Sequence, residues 1–292
     1  MPGATSLTEN PANTVPPTAD ASSDEWRRLF AGYSNIVLVA NSDDVDLAGL
    51  ERTYPDDTLF IFFNKVYKVL DTQFRRPALL VSRSGMMGAN IVHRREVPEV
   101  LKYFDRENFL GVLNIIIGNG ERFSPAEAFL GVPVRHLDLE ATIAPFYPQK
   151  KFPTTGFALC VWLTKLGHDG KIILAGFSSK RSERWKVFDV HDWTYEQVLL
   201  RLLARNGDIE ILELPSENPF ADIPKHFPQF TPFDVAVTAN EVLSDRLSNL
   251  GTITDRLMSV TKVLRYLDSS FRNLRPKTRK QKFLAEQQKS RE

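Results

Sequence analysis

The chain has 292 residues, of which 42% are hydrophobic, 25% charged and 11% aromatic. This is a globular composition and not that of a disordered, collagen-like or membrane-spanning chain. Thirty-seven Lys and Arg against 36 Asp and Glu leave a formal charge of +1, which excludes a global basic field for nucleic acid. The single cysteine, Cys160, excludes an intramolecular disulfide and a cysteine-rich metal site, and fits a reducing compartment.

Residues 1–24 are rich in Pro, Thr, Ser, Ala and Asn and read as a disordered leader. They have no basic region followed by an apolar one, so no signal peptide is expected, and no apolar run is long enough for a transmembrane helix. A short helix is predicted over 25–33. NIVLVA at 35–40 is a continuous apolar run, the pattern of a strand buried on both faces, and Asn41-Ser42-Asp43-Asp44 ends it with turn and cap residues. A helix is predicted over 45–52. Strands are predicted over 58–63, ending at Asn64, and over 77–82. A helix over 98–104 and a strand over 111–117 follow, the strand closed by Gly118-Asn119-Gly120. Residues 121–155, with Pro145, Pro148 and Pro153, read as a loop. The apolar stretch 156–166 is predicted to be a helix capped by Gly167, followed by a strand over 171–177 and a short extended piece over 186–190. Residues 195–205 form an amphipathic helix whose apolar face is read as Val198, Leu199, Leu202 and Leu203, stopped by Gly207 and followed by a strand over 209–214. Strands alternating with helices predict a Rossmann-like α/β domain over 25–214, with a mainly parallel sheet flanked by helices.

Five prolines punctuate 215–235, read as a linker. Beyond it, Leu243, Leu247, Leu250, Ile253, Leu257, Val260, Leu264, Leu267, Phe271 and Leu274 recur every three or four residues. They mark a helical seam, with Gly251-Thr252 a candidate interruption. Residues 236–292 are therefore expected to be a helical, basic extension. Its seam packs on the α/β domain, self-associates, or lies on a membrane surface; residues 243–292 are the expected contact. The mixture of acidic and basic residues favours the first two.

In an open parallel sheet, ligands bind beyond the carboxyl ends of the strands. Asn41 and Ser42 follow the first strand and Asn64 the second. Thr154, Thr155 and Gly156 open a helix, where first-turn N–H groups and the helix dipole suit a phosphate or carboxylate. His191 stands just before another helix, whose positive end depresses its pKa towards that of a neutral general base. The ordinary roles are turn asparagines, a threonine cap and a structural histidine. His93 reads as a surface strand residue, Asn119 as a turn residue that could line an acceptor, and Cys160 as core.

These residues resemble the motifs of the sialyltransferases, which use a CMP-activated sugar. The large motif corresponds to VLVA-Asn41-Ser42 and FIFF-Asn64. The small motif corresponds to Pro153-Thr154-Thr155-Gly156, followed by FALCVWLTKLG and KIILAGF. The very small motif, His-x4-Glu, corresponds to His191 and Glu196. Order and separation fit from residue 35 to 214; the resemblance does not reach 1–30 or 215–292.

The resemblance implies that Asn41, Ser42 and Asn64 hold the CMP phosphate and ribose, and that Thr154, Thr155 and Gly156 line the donor site. It implies that His191 deprotonates an acceptor hydroxyl and that Glu196 supports the local structure. The sugar is an acidic ulosonic one, sialic acid or Kdo in type, passed with inversion to a glycan. CMP-sugar is a substrate, and no cofactor or metal is expected. Without an anchor or disulfides, a bacterial enzyme of surface-polysaccharide synthesis is expected, cytoplasmic or peripheral to the inner membrane. The family's aromatic-and-histidine stretch is not evident, and its phosphate role passes to Lys180, Arg181 or Arg184. Ala40 replaces the family glycine before Asn41, and Asp43 and Asp44 follow where small residues are common. These departures motivate an alternative, a catalytically silent relative that binds a nucleotide or a partner protein.

Overall fold

A computed structural model describes residues 23–43, 45–84, 90–118, 120–177, 190–212, 220 and 222–260, with side chains described as far as Ser248, Arg246 apart. Two compact units divide at Leu214 and Pro215.

The first unit is built on a seven-stranded sheet, parallel throughout: β1 (Asn35–Val39), β2 (Thr58–Phe63), β3 (Ala78–Arg83), β4 (Phe109–Ile116), β5 (Val134–Asp138), β6 (Lys171–Ala175) and β7 (Glu210–Ile211). The strand order is β5-β4-β3-β2-β1-β6-β7. The chain therefore winds outward from β1 in one direction and returns beside β1 to wind in the other. Such a reversal opens a crevice at the carboxyl ends of β1 and β6. β1 and β2 are buried at every residue, which is why their sequences are continuous apolar runs.

Each face of the sheet has its own core. On one, α1 (Ser23–Phe30), α5 (Thr155–Leu166) and α6 (Trp193–Asn206) pack over Ile36, Leu38, Leu59 and Ile61. On the other, α2 (Leu47–Thr53) and α3 (Val97–Leu101) cover Val37, Val39, Phe60 and Phe62. Seven of the twelve α5 residues are buried, including Cys160, whose thiol pKa burial pushes up to about 12. Arg27 of α1 donates to the Leu166 carbonyl at 2.7 Å, tying the first helix to the C-terminus of α5.

The structure corrects several sequence expectations. The first helix starts at Ser23, two residues inside the expected leader; the leader to residue 22 lies outside the described residues. β5 and α4 (Glu140–Ile143) lie where a loop was expected. VRHLD alternates in burial at the sheet edge and has no apolar run to announce it. His93 lies in a turn, its N–H donating to Asn90 Oδ1, and not in a strand. In α6, Val198 and Leu202 are 54% and 53% exposed, whereas Glu196 and Leu200 are buried. The inward face is thus Glu196, Leu199, Leu200 and Leu203, rotated from the one the apolar residues suggested. β7 is shorter than expected, and of the extended piece at 186–190 only Val190 is described.

In the second unit, α7 (Ile223–His226) and α8 (Pro232–Val260) form within and beyond the expected linker. Pro224 and Pro232 stand in the first turns of these helices, where a missing N–H costs nothing. α8 runs through Gly251-Thr252 without a break. Leu243 and Leu247 are exposed on it, and the seam beyond Val260 lies outside the described residues. Among the described residues, no helix is long and apolar enough to cross a membrane.

Candidate functional site

The residues singled out at the strand ends divide into two groups at the carboxyl rim of the sheet. In the first, the side-chain amide of Asn41 donates to the Phe63 carbonyl at 2.8 Å, joining the ends of β1 and β2. Asn64 is buried and left-handed, with φ 39°. Its Oδ1 accepts the Arg83 N–H at 3.3 Å, joining β2 to β3. Asparagine tolerates the left-handed region better than most side chains. Ser42 donates its N–H to the Ala40 carbonyl in a tight turn. Gly176, φ +77°, crosses close to this turn: a Cβ there would lie 3.0 Å from Ser42 Cβ and 2.5 Å from Val45 Cγ2.

The second group surrounds the start of α5. Thr154 is the N-cap, its Oγ1 accepting the Phe157 N–H at 3.3 Å. Thus one of the first-turn N–H groups expected to face a ligand is taken by the cap. Glu196, on α6, is buried against this turn. It accepts from Thr154 N at 2.7 Å, Thr154 Oγ1 at 2.6 Å and Tyr147 Oη at 2.8 Å. Burial raises the Glu196 pKa, opposed by these hydrogen bonds, and burial likewise raises that of Tyr147. Gly156 faces the ring of Phe177: a Cβ there would lie 2.6 Å from Phe177 Cε1. The missing side chain at 156 makes room for an aromatic ring of the same chain, where the sequence suggested room for a ligand.

His191 precedes Asp192, the N-cap of α6. Its Nδ1 lies 2.6 Å from the Phe152 carbonyl. A carbonyl can only accept, so the neutral ring carries its proton on Nδ1 and its lone pair on Nε2. The His191 pKa is lowered, chiefly by burial, with the bond to Phe152 opposing and the positive charges of Arg83 and Lys151 assisting. The direction matches the sequence expectation; these causes are burial and nearby cations, where the sequence pointed to the helix dipole. Trp193 stands edge-on to the imidazole, with ring centroids 5.4 Å apart.

Sequence reading passed over Arg83, Tyr147 and Phe177, which meet the named residues, and Glu121, which pairs with Arg83. Arg83 was passed over because its strand was ended at Ser82, and it is the last residue of β3. Tyr147 lies only eight positions before Thr155, and an aromatic just upstream of a capped helix was the available signal. Lys180, Arg181, Arg184, Asp44 and Asn119 lie outside the described residues. Asp43 is exposed and acts on the charge of Lys68 after β2. Among the described residues, no group of three or more His, Cys, Asp or Glu side chains is placed to hold a metal ion.

Fold and rim together define an α/β protein of Rossmann-like architecture, with a histidine beside a capped helix N-terminus at the carboxyl end of the strands. Comparison with known protein families, curated proteins and solved structures finds no match to this chain.

Proposed function

We propose that the chain is an inverting glycosyltransferase that moves an acidic ulosonic sugar, of sialic acid or Kdo type, from CMP to a glycan. The observation that carries this reading is the His191 ring, whose Nδ1 is held by the Phe152 carbonyl 2.6 Å away, beside the N-terminus of α5. Nε2 is thereby the basic atom. It takes the proton of an acceptor hydroxyl as that oxygen bonds to the anomeric carbon. On the opposite face the bond from carbon to phosphate oxygen breaks, and CMP leaves with the electron pair. The start of α5, with Thr154, Thr155 and Gly156, stabilises the departing phosphate through its dipole. Asn41, Ser42 and Asn64 line the nucleotide side, and Glu196 fixes the α5 turn against α6. The reading includes a bacterial cytoplasmic setting in surface-polysaccharide synthesis, peripheral to the inner membrane.

Thermal shift with CMP and a panel of CMP-sugars tests the donor, with stabilisation by CMP expected. No shift with any of them would sink the reading. Replacing His191 by Ala should then lower transfer roughly 10²–10⁴-fold, the usual worth of a positioned base, with CMP affinity little changed.

A silent, nucleotide- or partner-binding relative is the second reading. It is favoured by the ring of Phe177 over Gly156 and by the use of the Asn41 and Asn64 amides between strands. It expects CMP binding without hydrolysis or transfer of any CMP-sugar. Turnover that disappears with His191→Ala excludes it.

A further inference from the structure

Arg83 touches more pieces of the rim than any residue named from the motifs. Its backbone N–H donates to Asn64 Oδ1, its Nε to Glu121 Oε1 at 2.8 Å, and its Nη1 to the Pro153 carbonyl at 2.7 Å. The ion pair is sheltered, with side-chain exposures of 15% and 16%. Glu121 is itself fixed, its Oε2 accepting the N–H groups of Ile117 at 2.8 Å and Gly118 at 3.4 Å. The guanidinium is therefore held from the β4 side and grips the strip that leads into α5.

That strip also holds the histidine. The carbonyls of Phe152 and Pro153 are consecutive: the first meets His191 Nδ1, the second Arg83 Nη1. The next residue, Thr154, is held by Glu196 through both its N–H and its hydroxyl. Neighbouring residues are 3.8 Å apart along the chain, so a shift of Pro153 is passed directly to the atom that orients the imidazole.

We infer that Arg83 is a positioning residue for His191, fixing the Phe152–Pro153 carbonyls so that the imidazole keeps its Nδ1–H form with Nε2 open to the rim. The catalytic consequence rests on the glycosyltransferase reading; the positioning itself does not. The charged groups about the ring are Arg83 from β3, Lys151 from the strip before α5, and Asp192, the N-cap that follows it in the chain. Arg83 supplies both a fork of donors and a positive charge, and lysine reproduces only the charge.

The test is ¹⁵N-histidine NMR on the ligand-free full chain, which has five histidines to assign, with transfer from a CMP-sugar measured alongside. In the parent protein His191 should show the Nδ1–H form. Arg83→Met should shift it towards the Nε2–H form common in free imidazole and raise its titration point. Arg83→Lys should keep the low titration point and still lose the Nδ1–H preference. Transfer should fall roughly 10–100-fold in both, the scale of a small misplacement of a reacting group, with CMP affinity unchanged. If Arg83→Met alone does not fold, Arg83→Met combined with Glu121→Gln removes the stranded carboxylate, and its tautomer is read instead. A folded variant lacking Arg83 with the parent tautomer would overturn the inference. If no CMP-sugar is turned over by the parent chain but the tautomer shifts as described, the positioning role stands and the glycosyltransferase reading falls.

Discussion

The two halves of the rim use their polar side chains in opposite ways. On the β1–β2 side, Asn41 and Asn64 turn their amide groups toward neighbouring strand ends and so finish the sheet. On the α5–α6 side, a buried carboxylate, Glu196, takes up the backbone and hydroxyl donors of the turn. Near this turn the His191 imidazole meets the Phe152 carbonyl through Nδ1 and stands edge-on to Trp193. Asparagine at a strand end joins neighbouring strands; glutamate on the facing helix α6 completes the turn that starts α5.

The largest expected effect on stability is at Glu196. Glu196→Ala removes the acceptor of three hydrogen bonds; Tyr147 keeps the Phe152 carbonyl at 3.2 Å, while the part-buried Thr154 N–H and hydroxyl lose their partner, which should cost about 2–4 kcal/mol in urea unfolding. A loss below that range would make the two halves equivalent. Next is Asn64→Ala, which removes one hydrogen bond and places a Cβ-branched-free but non-amide residue at φ 39°; roughly 1–2 kcal/mol is expected from the same measurement. Asn64→Asp, which keeps the acceptor, should recover most of it.

The pH dependence separates the halves further. The folded protein holds His191 less protonated than the unfolded chain does, because its pKa is lowered. Its contribution to stability is complete above the unfolded value of about 6.5 and is lost as pH falls through the folded one. Glu196 acts with the opposite sign. Its raised folded pKa makes stability fall as pH rises from the ordinary glutamate range through the raised value. Denaturant midpoints of His191→Ala should accordingly lack part of the parent's acid-side decline, and an identical decline would remove burial as the source of the shift. The smallest effect is on the outer face of α6, where Val198→Thr and Leu202→Gln should stay within roughly ±0.5 kcal/mol, as exposed positions do. A larger loss would mean that this face is covered.

Much of the first unit is legible in its sequence because central parallel strands are buried on both sides, and such strands are written as unbroken apolar runs. The ends of β2 are found to the residue and those of β1 to within one. β5 escapes because its two buried positions are Arg135 and Leu137, so that its inward face carries one apolar residue and no alternating pattern shows. The face of α6 is misread because five apolar residues, Val198, Leu199, Leu200, Leu202 and Leu203, spread over about 200° of the helix, and a buried Glu196 decides which of them turn inward. A carboxylate drawn inside by three donors outweighs hydrophobic preference at one position, and no periodicity reports that. The rim residues are legible as a set of strand-end and helix-start positions. Their hydrogen bonds are not, since Arg83 and Tyr147 reach them from segments that carry none of the motifs.

Pro153 has its own consequence. Proline has no N–H, and the Phe152 N–H is spent on the Val190 carbonyl. The two-residue strip therefore offers the rim carbonyl oxygens alone, a surface that only a donor can answer. One of these oxygens, that of Phe152, meets the imidazole and the next, that of Pro153, meets the guanidinium of Arg83.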